Sequence, residues 1–170
     1  MASLKPLIMR SNRLLGASLV DQNLVSIDDL DKANERLLEI MSEGSSNNEV
    51  SLLSILVNEM QCLKEDALFE KCIENHGLGI IDVRNIELPE EISMTLNPSE
   101  CWATWTVPFD YVEDTRYLAT AYYLSPPVRK HWEEKMNGKV IWFATSLESI
   151  AGFLESVESA AANAAYASAN

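Results

Sequence analysis

The chain has 170 residues, 47% of them hydrophobic and 23% charged, enough to bury a core in one domain or two small lobes. Its 26 acidic residues against 13 basic ones give a formal charge of −13, which repels nucleic-acid phosphates and anionic membranes unless cations cluster, and no Lys/Arg cluster appears in the sequence. Three cysteines, Cys62, Cys72 and Cys101, fit a reducing compartment, and the run at Pro6 to Met9 is too short for a signal-peptide core, so a cytoplasmic location without membrane insertion is expected.

In chain order, Ser11 is expected to cap a first helix carrying Leu14, Leu15, Leu19 and Val20, with Asn23 as its left-handed terminator. The segment Ser26-Ile-Asp-Asp29 reads as a capping box opening a helix with Leu30, Ala33, Leu37 and Leu38 inward. Five turn-favouring residues, Gly44 to Asn48, then form a loop. A third helix carries Leu52, Leu53, Leu56, Val57 and Met60, and a fourth runs from about Lys64 to His76 with Leu68, Cys72 and Ile73 inward and Gly77 as its stop. The helices form a loose repeat: Ser18 to Gln22 is echoed by Ile55 to Glu59, and Leu30 by Leu68. Two copies are too few for a solenoid.

After Gly77 the pattern changes. Ile80-Ile-Asp-Val83 reads as a strand, the stretch from Ile86 to Met94 is acidic, and Asn97-Pro-Ser-Glu100 starts a short helix. Thr106 to Phe109 and Tyr117 to Tyr123 are expected to pair across a polar turn, Asp110 to Thr115. Pro126-Pro127 opens a helix that Asn137-Gly138 ends, Lys139 to Ala144 is a further strand, and Thr145-Ser-Leu-Glu148 is a second capping box. The expected fold class is α+β: a four-helix lobe, residues 1–77, then a small α/β lobe, residues 78–159, with a three- to four-stranded mixed sheet. Residues 160–170 form an Ala-rich tail or linker.

Taken in order, these segments resemble the N-terminal domain of type II secretion and type IV pilus assembly ATPases, including the version that binds cyclic di-GMP. The family repeat begins Arg-Leu-Gly and continues through Leu-Val and Gly-Leu-Ile to Leu-x-x-Ala-Leu-x-x-Gln. Leu15, Gly16, Leu19, Val20, Leu24, Leu30 and Ala33 match the first copy, and Leu56, Val57 and Leu68 the second. Asn75 to Val83 is similar to the segment that joins the two lobes. Pro98-Ser-Glu100, Thr106 to Phe109, Tyr117 to Ala121, Pro126 and Asn137-Gly138 follow in family order.

The resemblance implies a bacterial, non-catalytic interaction or regulatory domain that docks to a protein partner, a membrane-platform or ATPase component of a secretion or pilus system. Its alternative is a cyclic-dinucleotide receptor with an altered site. The departures favour docking. The Arg position is Leu14 with Arg13 displaced by one, the second Gly is Asn23, the Gln position is Leu37, and Leu53 replaces Gly in the second copy. Only Arg13, Leu15, Gly16 and Asn75 remain as vestiges of a nucleotide site, so no nucleotide or other cofactor is expected. No phosphate-binding Gly-rich loop with Lys-Ser/Thr is present, and the chain is read as a non-enzyme.

Other constellations are weaker. Cys72 with His76 stands four apart, as metal ligands do, but no second pair accompanies it. Cys101 with His131 lacks a third orienting group. Asp110, Glu113 and Asp114 lack the pattern of a calcium loop, and Trp102, Trp105, Trp132 and Trp142 read first as core residues.

Overall fold

The computed structural model describes residues 3–43 and 50–169. The loop expected at Gly44 to Asn48 lies outside the described residues. Helix α1 spans Lys5–Asp21 with Pro6 in its first turn, so its cap, Leu4, stands about two turns before the expected one, and Ser11 is buried within the helix. Proline presets helical φ where the first amides need no partner, which is why the helix opens there. It stops as expected, with Asn23 at φ 59°. Helix α2, Ile27–Ser42, is capped by Ser26, whose Oγ accepts from the Asp29 amide at 3.1 Å.

Helix α3, Leu52–Ser54, continues into a π-helical turn at Ile55–Glu59. Helix α4, Glu65–His76, ends at Gly77 with φ 64°. Leu52, Leu53, Leu56, Leu68 and Cys72 are buried as their spacing predicts, but two apolar positions read as inward, Leu38 and Ile73, are 59% and 48% exposed. Each helix meets its neighbours along one narrow stripe, and these two residues lie beside it.

The second half holds β1 (Gly79–Ile80), α5 (Glu90–Ser93), α6 (Pro98–Thr104), β2 (Thr106–Val112), β3 (Thr115–Thr120), α7 (Pro126–Met136), β4 (Lys139–Ala144) and α8 (Leu147–Ala169). The sheet has order β1-β4-β3-β2, with β4 parallel to both β1 and β3 and β2 antiparallel to β3. The fold is therefore α+β with a four-stranded mixed sheet, as the sequence indicates.

Four details differ. The strand expected at Ile80 to Val83 is only two residues long, because Asp82 turns out to bind Arg84 and the Val83 amide donates to Ser149 Oγ at 2.9 Å. The hairpin turn shrinks to Glu113 and Asp114, since Tyr111 pairs with Arg116 across the strands with the guanidinium 4.2 Å from the ring centre. Strand β3 ends at Thr120, whose Oγ1 accepts from the Tyr122 amide. The cap of α8 is Ser146, not Thr145: Ser146 Oγ accepts from the Ser149 amide at 3.0 Å, while the Thr145 amide is tied to Thr120 O. The Ala-rich tail continues α8 to Ala169 and is exposed through Ala167.

One cluster of buried residues runs from Leu15 in α1 to Leu154 in α8 and includes all four tryptophans. Helix α1 packs on α2, on α6 and on α7. It therefore contributes to both halves of the chain.

Candidate functional site

Helix α1 lines two hollows on the surface of the chain. Its inner face, Leu7, Ser11, Asn12, Leu15, Gly16 and Leu19, is buried. Asn12 fixes its rotation: the side-chain oxygen accepts from the Leu52 amide at 2.9 Å and from the Tyr122 hydroxyl at 2.7 Å, and the side-chain nitrogen donates to Ile8 O. Ser125 Oγ adds a donation to Ser11 O at 2.7 Å. With this face held, Pro6, Met9, Arg10 and Arg13 point outward.

The outward residues border two grooves. Between α1 and α2 lies one of about 430 Å³, lined by Pro6, Met9, Leu37, Leu38 and Met41 with Arg10, Arg13 and Asn34 as polar members. Between α1 and α7 lies another of about 480 Å³, lined by Arg10, Leu14, Pro126, Pro127, Lys130, His131 and Glu134. Arg10 borders both. Neither Arg10 nor Arg13 has an acidic partner among the described residues, whereas Glu134 lies 4.0 Å from Lys130. The basic cluster absent from the linear sequence is thus assembled by the packing of α1 on α7.

The four vestigial positions do not converge. Leu15 is wholly buried in the core. Gly16 serves close packing: a Cβ there would stand 2.7 Å from Leu30 Cδ1 and 3.1 Å from Leu52 Cδ2. Arg13 is exposed at the groove, and Asn75 donates from its amide to Gln22 Oε1 at 3.5 Å beyond the end of α1. Nine residues of helix, about 13 Å of axis, separate Arg13 from Gln22.

The weaker constellations are also placed. Cys72 is buried and its thiol is pushed up to about 11 by burial, while His76 is exposed and stacks edge-on with Tyr123. Among the described residues no three His, Cys, Asp or Glu side chains are positioned to hold a metal ion.

Cys101 is buried with its thiol pushed up by burial, which disfavours the nucleophilic thiolate. His131 contacts the neighbouring Glu100 instead, with Nε2 2.5 Å from Oε1, and Lys135 pairs with the other carboxylate oxygen. Burial pushes the Glu100 carboxyl up, but the hydrogen bonds from His131 and Lys135 outweigh it and hold it below the usual range. The sequence signal for this cluster is the i, i+4 spacing of His131 and Lys135 on one helix face, which says where the cations lie but not which acid meets them.

No protein-family model matches the chain, and no curated protein matches it. Solved structures do. The N-terminal domain of XpsE superposes with a TM-score of 0.55 at 16% identity, covering 85% of this chain and 94% of that one. A second crystal form of that domain gives 0.52 at 17% identity, covering 82% and 90%. The structure of MshE with cdg gives 0.50 at 14% identity, covering 84% and 97%. The chain therefore has the fold of these domains, and at such identities the fold is what is shared. Among the described residues no helix is long and apolar enough to cross a membrane.

Proposed function

We propose that this chain is a non-catalytic docking domain of the secretion and pilus ATPase type, cytoplasmic in location, that binds a protein component of such a system. The observation carrying this reading is the α1–α2 groove, where Leu38 at 59% and Met9 at 45% exposure offer apolar surface beside a recessed Leu37. An exposed apolar groove on a helical pair is the surface into which a partner helix lays its own apolar face. The fold shared with the XpsE domain supports the same reading, as does the resemblance of the repeat. The test is titration calorimetry with purified soluble platform and ATPase components of the secretion or pilus system of the source organism. Binding that Leu38→Asp weakens is expected; no binding to any component overturns the reading.

A second reading, a cyclic-dinucleotide receptor with an altered site, is favoured by the fold shared with MshE with cdg and by the unpartnered Arg13. Against it stand the burial of Leu15, the packing role of Gly16 and the distance between Arg13 and Asn75. Micromolar binding of cyclic di-GMP, lost on Arg13→Ala, selects this reading over docking.

A further inference from the structure

The docking reading leaves the chemistry of the partner open, and the charges around α1 narrow it. Helix α1 carries Lys5, Arg10 and Arg13 against one acid, Asp21, and although α2 across the groove carries five acids, Asp28, Asp29, Asp31, Glu35 and Glu39, against Lys32 and Arg36, none of them is among the groove's described lining residues. Arg10 and Arg13 are guanidiniums without a carboxylate partner among the described residues. Both stand on the rim of the α1–α2 groove, whose described lining residues include no acid. A protein with a net charge of −13 repels acidic chains everywhere except where such an island faces them.

Resting on the docking reading, we propose that the α1–α2 groove receives an amphipathic helix of a protein partner that bears carboxylates beside its apolar stripe. The stripe would cover Met9, Leu38 and Met41, while the flanking carboxylates meet Arg10 and Arg13. Guanidiniums bind carboxylates through two parallel N–H donors, and apolar cover around them strengthens the pairing. An anionic membrane fits less well, because Leu37, 7% exposed, lies at the bottom of a recess that a lipid surface does not enter, and two cations are few against the charge of the whole chain. Pairing at this rim sets partner choice and association rate more than total affinity.

The experiment is a selection of displayed helical peptides about four turns long on the whole chain, with a fixed leucine stripe and flanks randomised among Glu, Lys, Gln and Ser. Glu is expected to be enriched at the flanks, and a selected peptide should bind at least about tenfold more tightly than its Glu→Lys counterpart. Arg10→Glu with Arg13→Glu should invert that preference. Arg10→Gln with Arg13→Gln should abolish it, and carries the test if the double glutamate variant fails to fold. Peptides selected without charge bias, yet weakened by Leu38→Asp, overturn the acidic partner and leave docking standing. No enrichment, or peptides indifferent to Leu38→Asp, overturns both. Co-sedimentation with phosphatidylglycerol vesicles that the double glutamine variant loses reassigns the arginines to a membrane and likewise overturns the proposal.

Discussion

The hydroxyl of Tyr122 donates to the side-chain oxygen of Asn12 at 2.7 Å, joining residues 110 apart in sequence. Both groups are buried, and the geometry fixes every proton. Asn12 Oδ1 also accepts from the Leu52 amide, so it is the oxygen, and its nitrogen donates to Ile8 O. Having spent its proton on Asn12, the Tyr122 hydroxyl accepts from Ser51 Oγ at 2.6 Å. The network ties α1, the start of α3 and the segment after β3 into one unit. A buried polar network of this kind is stable only when complete.

Tyr122→Phe keeps the ring but leaves Ser51 Oγ without its buried partner. A loss of about 1–3 kcal/mol in urea unfolding is expected. Asn12→Ala should cost at least as much, because it also orphans the Leu52 amide. The double variant should lose less than the sum, since the two side chains share one bond. Additive losses would show that the bond contributes nothing.

Gly16 is placed against Leu30 and Leu52, and the test is a coupling energy. Alanine there gains about 1 kcal/mol of helix propensity but drives its Cβ to within 2.7 Å of Leu30 Cδ1, and overpacking costs about 1–3 kcal/mol. Gly16→Ala alone is therefore expected to be neutral to destabilising. In the Leu30→Ala background, where the methyl group is gone, the same change should be stabilising. Chemical denaturation of the four proteins of the cycle measures it.

The pH dependence of Glu100 has a definite sign. Its folded carboxyl lies below the usual range, so the unfolded chain binds more protons between the two values and stability falls as pH falls through that window. The contribution is fully present above the unfolded value of about 4.3 and lost in acid below the folded one. Glu100→Gln should cost about 1–3 kcal/mol at neutral pH, discounted for the partial exposure of Lys135. The gap between wild type and variant should narrow when unfolding is followed downward from pH 5. A gap independent of pH would falsify the charge pairing.

The three thiols should separate by access. Burial pushes Cys72 up to about 11 and Cys101 up as well, and both side chains are in the core; Cys62 is raised by burial too but is partly exposed. Ellman's reagent at pH 8 should modify Cys62 alone and slowly in the native protein, and all three in urea. Rapid native reaction of Cys101 would revive its candidacy as a nucleophile.

Local chemistry made much of this fold legible. Ser26 and Asn97 cap their helices through amides two or three residues away, and Gly77 and Asn137 end theirs by adopting positive φ. Such interactions close within one turn, so neighbouring residues specify them without reference to the rest of the chain. The apolar stripes of Leu15, Leu19, Leu52, Leu56 and Leu68 likewise declare their burial by spacing. The order of these elements carried the resemblance, and with it the fold.

Tertiary structure alone decided what the surface presents. Leu38 and Ile73 keep the helical period of buried residues yet face solvent, because the period says which residues share a face and not how wide the covered stripe is. Arg10 and Lys130 lie 120 positions apart in sequence and border one hollow only because α1 packs on α7. Glu100 receives His131 and Lys135 for the same kind of reason. The sequence by itself determined helices, stops and core, whose causes act over a few residues; the basic rim, the apolar groove and the buried Asn12–Tyr122 bond exist only once distant segments meet.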